Sequence, residues 1–234
     1  MSALLAVERL DAFYGSFQAL FGIDFSLHTG ESVAVIGANG AGKSTFLKSL
    51  AGLVKNRRDA IRFLDQDVGD RGAPEMLRMG LALVPEGRRL FPSLSVEENL
   101  LVGAYSGLRP QPWNLQKIYE LFPVLRERRS SPSTVLSGGQ QQMVAIGRAL
   151  MSNPKVLLCD ELSLGLAPIV IEDIYRALPR VKASGTSVVI VEQDIARAMR
   201  SVDRFYCLQE GRVTLAGEPG TVDQGDIRRA YFGT

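Results

Sequence analysis

Short apolar runs alternate with polar turns along the whole chain, and two periods of hydrophobicity take turns. Residues 4–10 and 21–27 predict strands, with His28-Thr29-Gly30-Glu31 as the turn after the second. Residues 32–36 are almost continuously apolar over one strand length, as a parallel strand buried on both faces requires. A glycine-rich loop follows, and residues 43–50 have helical spacing. Residues 61–64 and 81–84 predict further short strands, and from about 95 to 150 the periodicity is helical with little strand character. Residues 156–159 and 187–191 are again apolar and β-rich, each followed by a helical segment. The end of the chain holds residues 204–208, the turn Gln209-Glu210-Gly211 and residues 212–216, which predict a hairpin.

Buried strands that each feed a loop and then a helix imply an α/β fold with a parallel sheet. Ligands in such sheets sit beyond the carboxyl ends of the strands, so the residues just after each buried strand are the ones to inspect. A length of 234 residues suits one domain, or one domain with a subordinate lobe. The 46% apolar content excludes disorder. A net charge of only +2 argues against a dedicated nucleic-acid binder. Two distant cysteines, Cys159 and Cys207, argue against a disulfide framework or a zinc site, and a single histidine, His28, excludes most histidine-centred chemistry. No run reaches the roughly 18 apolar residues of a membrane helix, and the N-terminus meets Glu8 and Arg9 too early for a signal peptide. The expectation is a soluble, reduced, cytoplasmic chain that can still dock on a membrane protein.

The strongest chemical motif is Gly37-Ala38-Asn39-Gly40-Ala41-Gly42-Lys43-Ser44-Thr45, which reads G-x-x-x-x-G-K-S between a strand and a helix. Small residues let the backbone wrap a phosphate, and the helix starting near Lys43 adds its N-terminal partial charge. Lys43 is placed to neutralise β/γ-phosphates and Ser44 to bind Mg²⁺. At the end of the apolar strand 156–159 stand two carboxylates, Asp160 and Glu161. Charge at the end of a buried strand is costly unless paired or metal-bound. Asp160 is placed to hold Mg²⁺, and Glu161 to polarise an attacking water as general base.

Ser137-Gly138-Gly139-Gln140, preceded by Leu136, stands before a helical segment at 143–151. Ser137 is a helix N-cap with exposed N–H groups behind it, a second anion site. With this segment in place, the chain resembles the ABC ATPases, whose signature is LSGGQ, and the resemblance covers essentially the whole chain. It implies a P-loop (RecA-like) α/β core with an N-terminal antiparallel β lobe and an inserted helical lobe at about 88–150. All 234 residues would form a single ATP-binding domain. It implies ATP and Mg²⁺ as ligands, and a head-to-tail dimer. In that dimer Ser137, Gly138, Gly139 and Gln140 of one subunit face the γ-phosphate held by the partner's loop, whose own contacts are Gly37, Asn39, Gly40, Gly42, Lys43, Ser44 and Thr45. Tyr14 resembles the aromatic that stacks on adenine; the alternative is a core tyrosine of the β lobe. Ser163-Leu164-Gly165-Leu166 resembles the segment that touches the partner.

Three positions depart from the family pattern. Leu162 stands where proline is usual, which is expected to loosen the turn. Glu86, after Leu83-Val84-Pro85, replaces a glutamine near Mg²⁺; a carboxylate can ligate the ion but cannot donate while ionised. Gln193, after residues 189–191 and Glu192, replaces the switch histidine. Its amide can donate to a phosphate oxygen but carries no charge. Asp194 is expected to cap the next helix. Val84-Pro85-Glu86-Gly87-Arg88-Arg89, Ser163-Leu164-Gly165-Leu166-Ala167-Pro168 and Val191-Glu192-Gln193-Asp194 together resemble the shorter ATPase of branched-chain amino acid importers. That resemblance implies a second ATPase subunit, permease subunits, a periplasmic binding protein, no nucleic acid, and a place on the cytoplasmic face of the inner membrane. Urea or short-amide importers and soluble ABC ATPases are the competing readings.

Overall fold

The structure is a computed structural model, and it describes residues 3–104 and 112–232. Two sheets organise it. Strands β1 (Leu5–Tyr14), β2 (Phe17–Leu27), β4 (Ile61–Phe63) and β5 (Gln66–Asp67) form an antiparallel sheet in the order β2-β1-β4-β5. Strands β3 (Ser32–Ile36), β6 (Leu81–Val84), β7 (Val156–Asp160), β8 (Ser187–Glu192), β9 (Arg204–Gln209) and β10 (Arg212–Gly217) form the second, in the order β10-β9-β3-β8-β7-β6. All neighbours in it run parallel except the terminal β9–β10 hairpin.

Every residue of β3, β7 and β8 is buried, so the central strands carry side chains into cores on both faces. On one face Val33, Val35, Leu158, Val189 and Val191 join helix α1 (Lys43–Leu50) and the antiparallel sheet. On the other, Leu157, Cys159, Val188 and Ile190 pack against α6 (Gly138–Leu150) and α7 (Pro168–Ala183). Ala34 and Ile36, with Phe205 and Cys207, meet α8 (Ile195–Met199) and α9 (Gln224–Phe232). Cys159 and Cys207 are buried free thiols. Asp194 caps α8, accepting from the Arg197 N–H at 3.0 Å.

The first two strands run further than the hydrophobic pattern predicts. In β1 the buried positions are Leu5 and Val7, then Leu10 and Ala12. The phase slips by one residue because Arg9 is left-handed (φ 44°) and forms a bulge, its N–H donating to Asp24 Oδ1 at 2.8 Å. A sequence reading at period two stops at that slip, whereas the strand goes on to Tyr14. Strands β7 and β8 likewise continue one residue past their apolar runs, so the carboxylates Asp160 and Glu192 are strand residues.

Among the described residues between β6 and β7 lie the helices α3 (Val96–Ala104), α4 (Leu115–Leu121), α5 (Pro123–Glu127) and α6. Helix α6 starts at Gly138, five residues before the segment that periodicity predicts. The hydrophobic pattern predicts neither α2 (Ala73–Met79) nor α9. No helix among the described residues is long and apolar enough to cross a membrane.

Candidate functional site

Because β6, β3, β7 and β8 run parallel, their carboxyl ends share one edge of the sheet. The turn at Glu86 follows β6, the glycine loop follows β3, Glu161 follows β7 and Gln193 follows β8. The sequence motifs separated by more than a hundred residues therefore meet there.

The glycine loop delivers α1 end-on. Its N-cap, Gly42, is left-handed at φ 101°, has no side chain to close the helix, and no acidic residue stands in the first turn. The helix start thus offers free N–H groups and an unneutralised partial positive charge. Gly37 is buried against the Leu208 carbonyl of β9. Lys43 is 4% exposed, and its ammonium donates to the carbonyls of Gly37 at 2.8 Å and Ala38 at 3.0 Å, with Glu161 Oε1 at 3.9 Å. Burial pushes its pKa down, opposed by the charges of Glu161, Asp160 and Glu192. Ser44 Oγ donates to Asp160 Oδ1 at 3.1 Å. Asp160 is 4% exposed, and burial raises its pKa against the hydrogen bond from Ser44, with further upward pressure from the Glu161 and Glu86 carboxylates. The half-buried Ser44 hydroxyl and the buried Asp160 carboxylate, with the exposed Glu86 carboxylate acting on them, make a hard-cation donor set. Among the described residues no three His, Cys, Asp or Glu groups could hold a metal by themselves. A cation here would need further oxygens from another source.

Glu161 is held at both its backbone and its side chain. Its backbone is left-handed at φ 50°, rare for a non-glycine residue and frequent at functional positions. Its N–H donates to Val191 O at 3.1 Å, and its Oε1 accepts from Gln193 Nε2 at 2.7 Å. Gln193 is steadied in turn by Tyr231 of α9, whose hydroxyl donates to the Gln193 carbonyl at 3.3 Å. Leu162, expected to loosen this turn, is 1% exposed and packed in the core under α6 and α7. It anchors the turn by burial, where proline would do so by fixed φ.

A cavity of about 490 Å³ runs from the loop to the tip of the antiparallel sheet, within the range of nucleotide-sized pockets. Asn39, Gly40, Gly42, Lys43, Ser44, Thr45 and Glu161 line one end. Tyr14, Phe17 and Phe21 line the other. Tyr14 is 46% exposed at the end of β1, so it is not a core tyrosine. Sequence reading misses Phe17, Gln18 and Phe21, and also Glu210 and Gly211, which reach the cavity from the β9–β10 turn. Gly211 ties the two ends together: its N–H donates to Ala41 O at 3.0 Å, and its carbonyl accepts from Phe21 N–H at 2.9 Å. Only the fold brings that turn there.

Ser137, Gly138, Gly139 and Gln140 do not line this cavity. Ser137 is exposed and caps α6 in a reciprocal box, its Oγ accepting from the Gln140 N–H at 3.3 Å while Gln140 Oε1 accepts from the Ser137 N–H at 3.0 Å. Gly139 has an internal reason to be glycine: a Cβ there would sit 2.2 Å from Val170 Cγ1 on α7.

A glycine loop opening a helix, an acid pair at the end of the adjoining parallel strand, an aromatic-tipped antiparallel sheet above them and a helical insertion define a nucleotide-binding cassette. The family model described as ABC transporter matches residues 20–163. This chain belongs to the ABC transporter family, and it is an ATP-binding, ATP-hydrolysing transporter subunit. It is 40% identical over 232 residues to the "High-affinity branched-chain amino acid transport ATP-binding protein BraG" of Pseudomonas aeruginosa, covering 98% of this chain and 100% of that protein. It is 32% identical to the "Lipopolysaccharide export system ATP-binding protein LptB" of Acidithiobacillus ferridurans, over 100% of this chain and 98% of that one. Among solved structures, a nucleotide-free ATP-binding cassette from an ABC transporter superposes with a TM-score of 0.84 at 26% identity, covering 98% of this chain and 95% of that chain.

Proposed function

We propose that this chain powers the import of branched-chain amino acids, as one of two ATPase subunits docked on permease subunits at the cytoplasmic face of the inner membrane. The 40% identity to BraG along both full lengths carries this reading of the cargo. The segments around Glu86, Ser163 and Gln193, which set the importer branch apart in sequence, sit at the ligand edge or beside it.

The geometry supports a role for each residue of the site. The N–H groups at the start of α1 and the Lys43 ammonium receive the β- and γ-phosphates of ATP, which compete with the Gly37 and Ala38 carbonyls for Lys43. Tyr14 stacks on the base, a contact that needs only a ring face. Ser44, Asp160 and Glu86 would hold Mg²⁺, which would supply neutralisation of phosphate charge. Glu161 accepts a proton from the attacking water, with Gln193 fixing its carboxylate. The start of α6 lies off the cavity of its own chain. If Ser137, Gly138, Gly139 and Gln140 touch a phosphate, that phosphate belongs to a second chain, which supports the head-to-tail dimer. Hydrolysis by positioning and charge neutralisation needs no histidine.

The 32% identity to LptB keeps a second cargo in view, so the test separates the two. The chain is co-purified with its permease and reconstituted in liposomes with radiolabelled leucine and a loaded periplasmic binding protein. ATP-dependent leucine accumulation, lost in Lys43→Ala, is the expected result. ATP hydrolysis that responds to lipopolysaccharide and not to leucine would overturn the import reading.

A further inference from the structure

Glu192, the last residue of β8, is a carboxylate 1% exposed to solvent, and no part of the nucleotide chemistry above uses it. It accepts two hydrogen bonds, both from hydroxyls: Ser163 Oγ to Oε2 at 2.8 Å and Tyr175 OH to Oε1 at 2.6 Å. Burying a carboxyl group without a bonded cation is costly, and an apolar residue would fill the place at less cost to folding. The Glu192 side chain presents one acceptor oxygen to each hydroxyl. Both hydroxyls donate inward, which fixes the direction of each.

The three residues come from three elements that must act together. Ser163 belongs to the turn between β7 and α7, two residues after Glu161, and its neighbour Leu164 is 50% exposed. Tyr175 lies on α7. Glu192 precedes Gln193, whose amide holds Glu161 at 2.7 Å. We propose that Glu192 is a positioning residue that links the exposed turn at Ser163 and helix α7 to the Gln193–Glu161 pair. A partner pressing on Leu164 thereby sets the geometry of the base. A shift of the turn pulls on Ser163, Ser163 pulls on Glu192, and Glu192 carries the adjoining Gln193 amide with it. The proposal rests on the reading of Glu161 as base.

Ser163 is half-buried in a turn, so substitutions there remove the hydroxyl with little change in packing. ATP hydrolysis is measured on the full chain for Ser163→Ala, Ser163→Val and Ser163→Thr, with hydrogen exchange of residues 161–167 as a second readout. Valine and threonine have nearly one shape; only threonine keeps the donor. Ser163→Ala and Ser163→Val should lower kcat about tenfold, as loss of a hydrogen bond to a carboxylate does, with the KM for ATP within about twofold of the parent. Ser163→Thr should restore most of the rate, and exchange across 161–167 should quicken in the alanine and valine variants only. Ser163→Val with parental kcat and exchange, or equal losses in valine and threonine, would overturn the proposal. Glu161→Gln separates the two readings: full turnover there removes the base assignment. An inactive Glu161→Gln beside a fully active Ser163→Val removes the link alone.

Discussion

Replacing Gln193 by alanine deletes one contact whose energy can be worked from its geometry. The Nε2 of Gln193 donates to Glu161 Oε1 at 2.7 Å, and the Glu161 side chain is 12% exposed. The acceptor is a carboxylate, so the bond belongs to the class whose loss costs about 1.5–3 kcal/mol. Some water reaches the remaining carboxylate, which places the effect in the lower half of that range. At about 1.4 kcal/mol per factor of ten, kcat should fall roughly 10- to 30-fold. Gln193 does not line the nucleotide cavity, so the KM for ATP should move by less than about twofold. Steady-state phosphate release over a range of ATP concentrations reads both parameters. Parental kcat, or a loss carried entirely by KM, would refute the idea that this amide orients the base. Gln193→Glu keeps the shape and sets a second carboxylate against Glu161, so it should be slower than the alanine variant at neutral pH.

Three further outcomes follow from the site. Leu162→Ala removes a side chain that is 1% exposed beneath the Glu161 turn; it should cost about 2–4 kcal/mol of stability in thermal or urea unfolding, and kcat should fall in the fraction that stays folded. Asp160 has its pKa raised chiefly by burial, so its ionised form weighs against the native state once the pH exceeds its ordinary value of 3.8. Asp160→Asn should therefore melt above the parent at pH 7 without nucleotide, the difference shrinking as the pH falls toward that value, while stabilisation by Mg²⁺ and ATP is lost. Tyr14→Ala should raise the KM for ATP roughly fivefold or more through lost stacking, with kcat little changed and Tyr14→Phe close to the parent in nucleotide titrations.

Much of this site is legible in the amino-acid sequence, because its parts are local motifs. Three of the buried strands, β3, β7 and β8, are written as unbroken apolar runs. The residues after them have only one edge of a parallel sheet to occupy, which is why Lys43, Ser44, Asp160, Glu161 and Gln193 can be nominated together. What escapes is set by backbone twist and by long-range pairing. The left-handed Arg9 breaks the period of β1 and conceals that Tyr14 is a strand residue at the tip of the sheet. Helix α9 buries only Ile227 among its residues, too weak an apolar stripe to announce a helix, yet it delivers Tyr231 to Gln193. Gly211 and Glu192 find their partners across 170 and 29 residues respectively, from Ala41 to Gly211 and from Ser163 to Glu192, and no local pattern encodes such a meeting. Leu162, set beside a usual proline, reads as a weak point. Burial gives the same turn its anchor by a different route.

The central claim is that Glu161, held by Gln193 at the end of β7, takes the proton from the water that attacks ATP. Single-turnover hydrolysis by Glu161→Gln, measured beside ATP binding on the same preparation, tests it most directly. Binding should equal or exceed that of the parent, and the rate should fall by at least about a hundredfold, the scale of a lost general base. Parental turnover in that variant would contradict it.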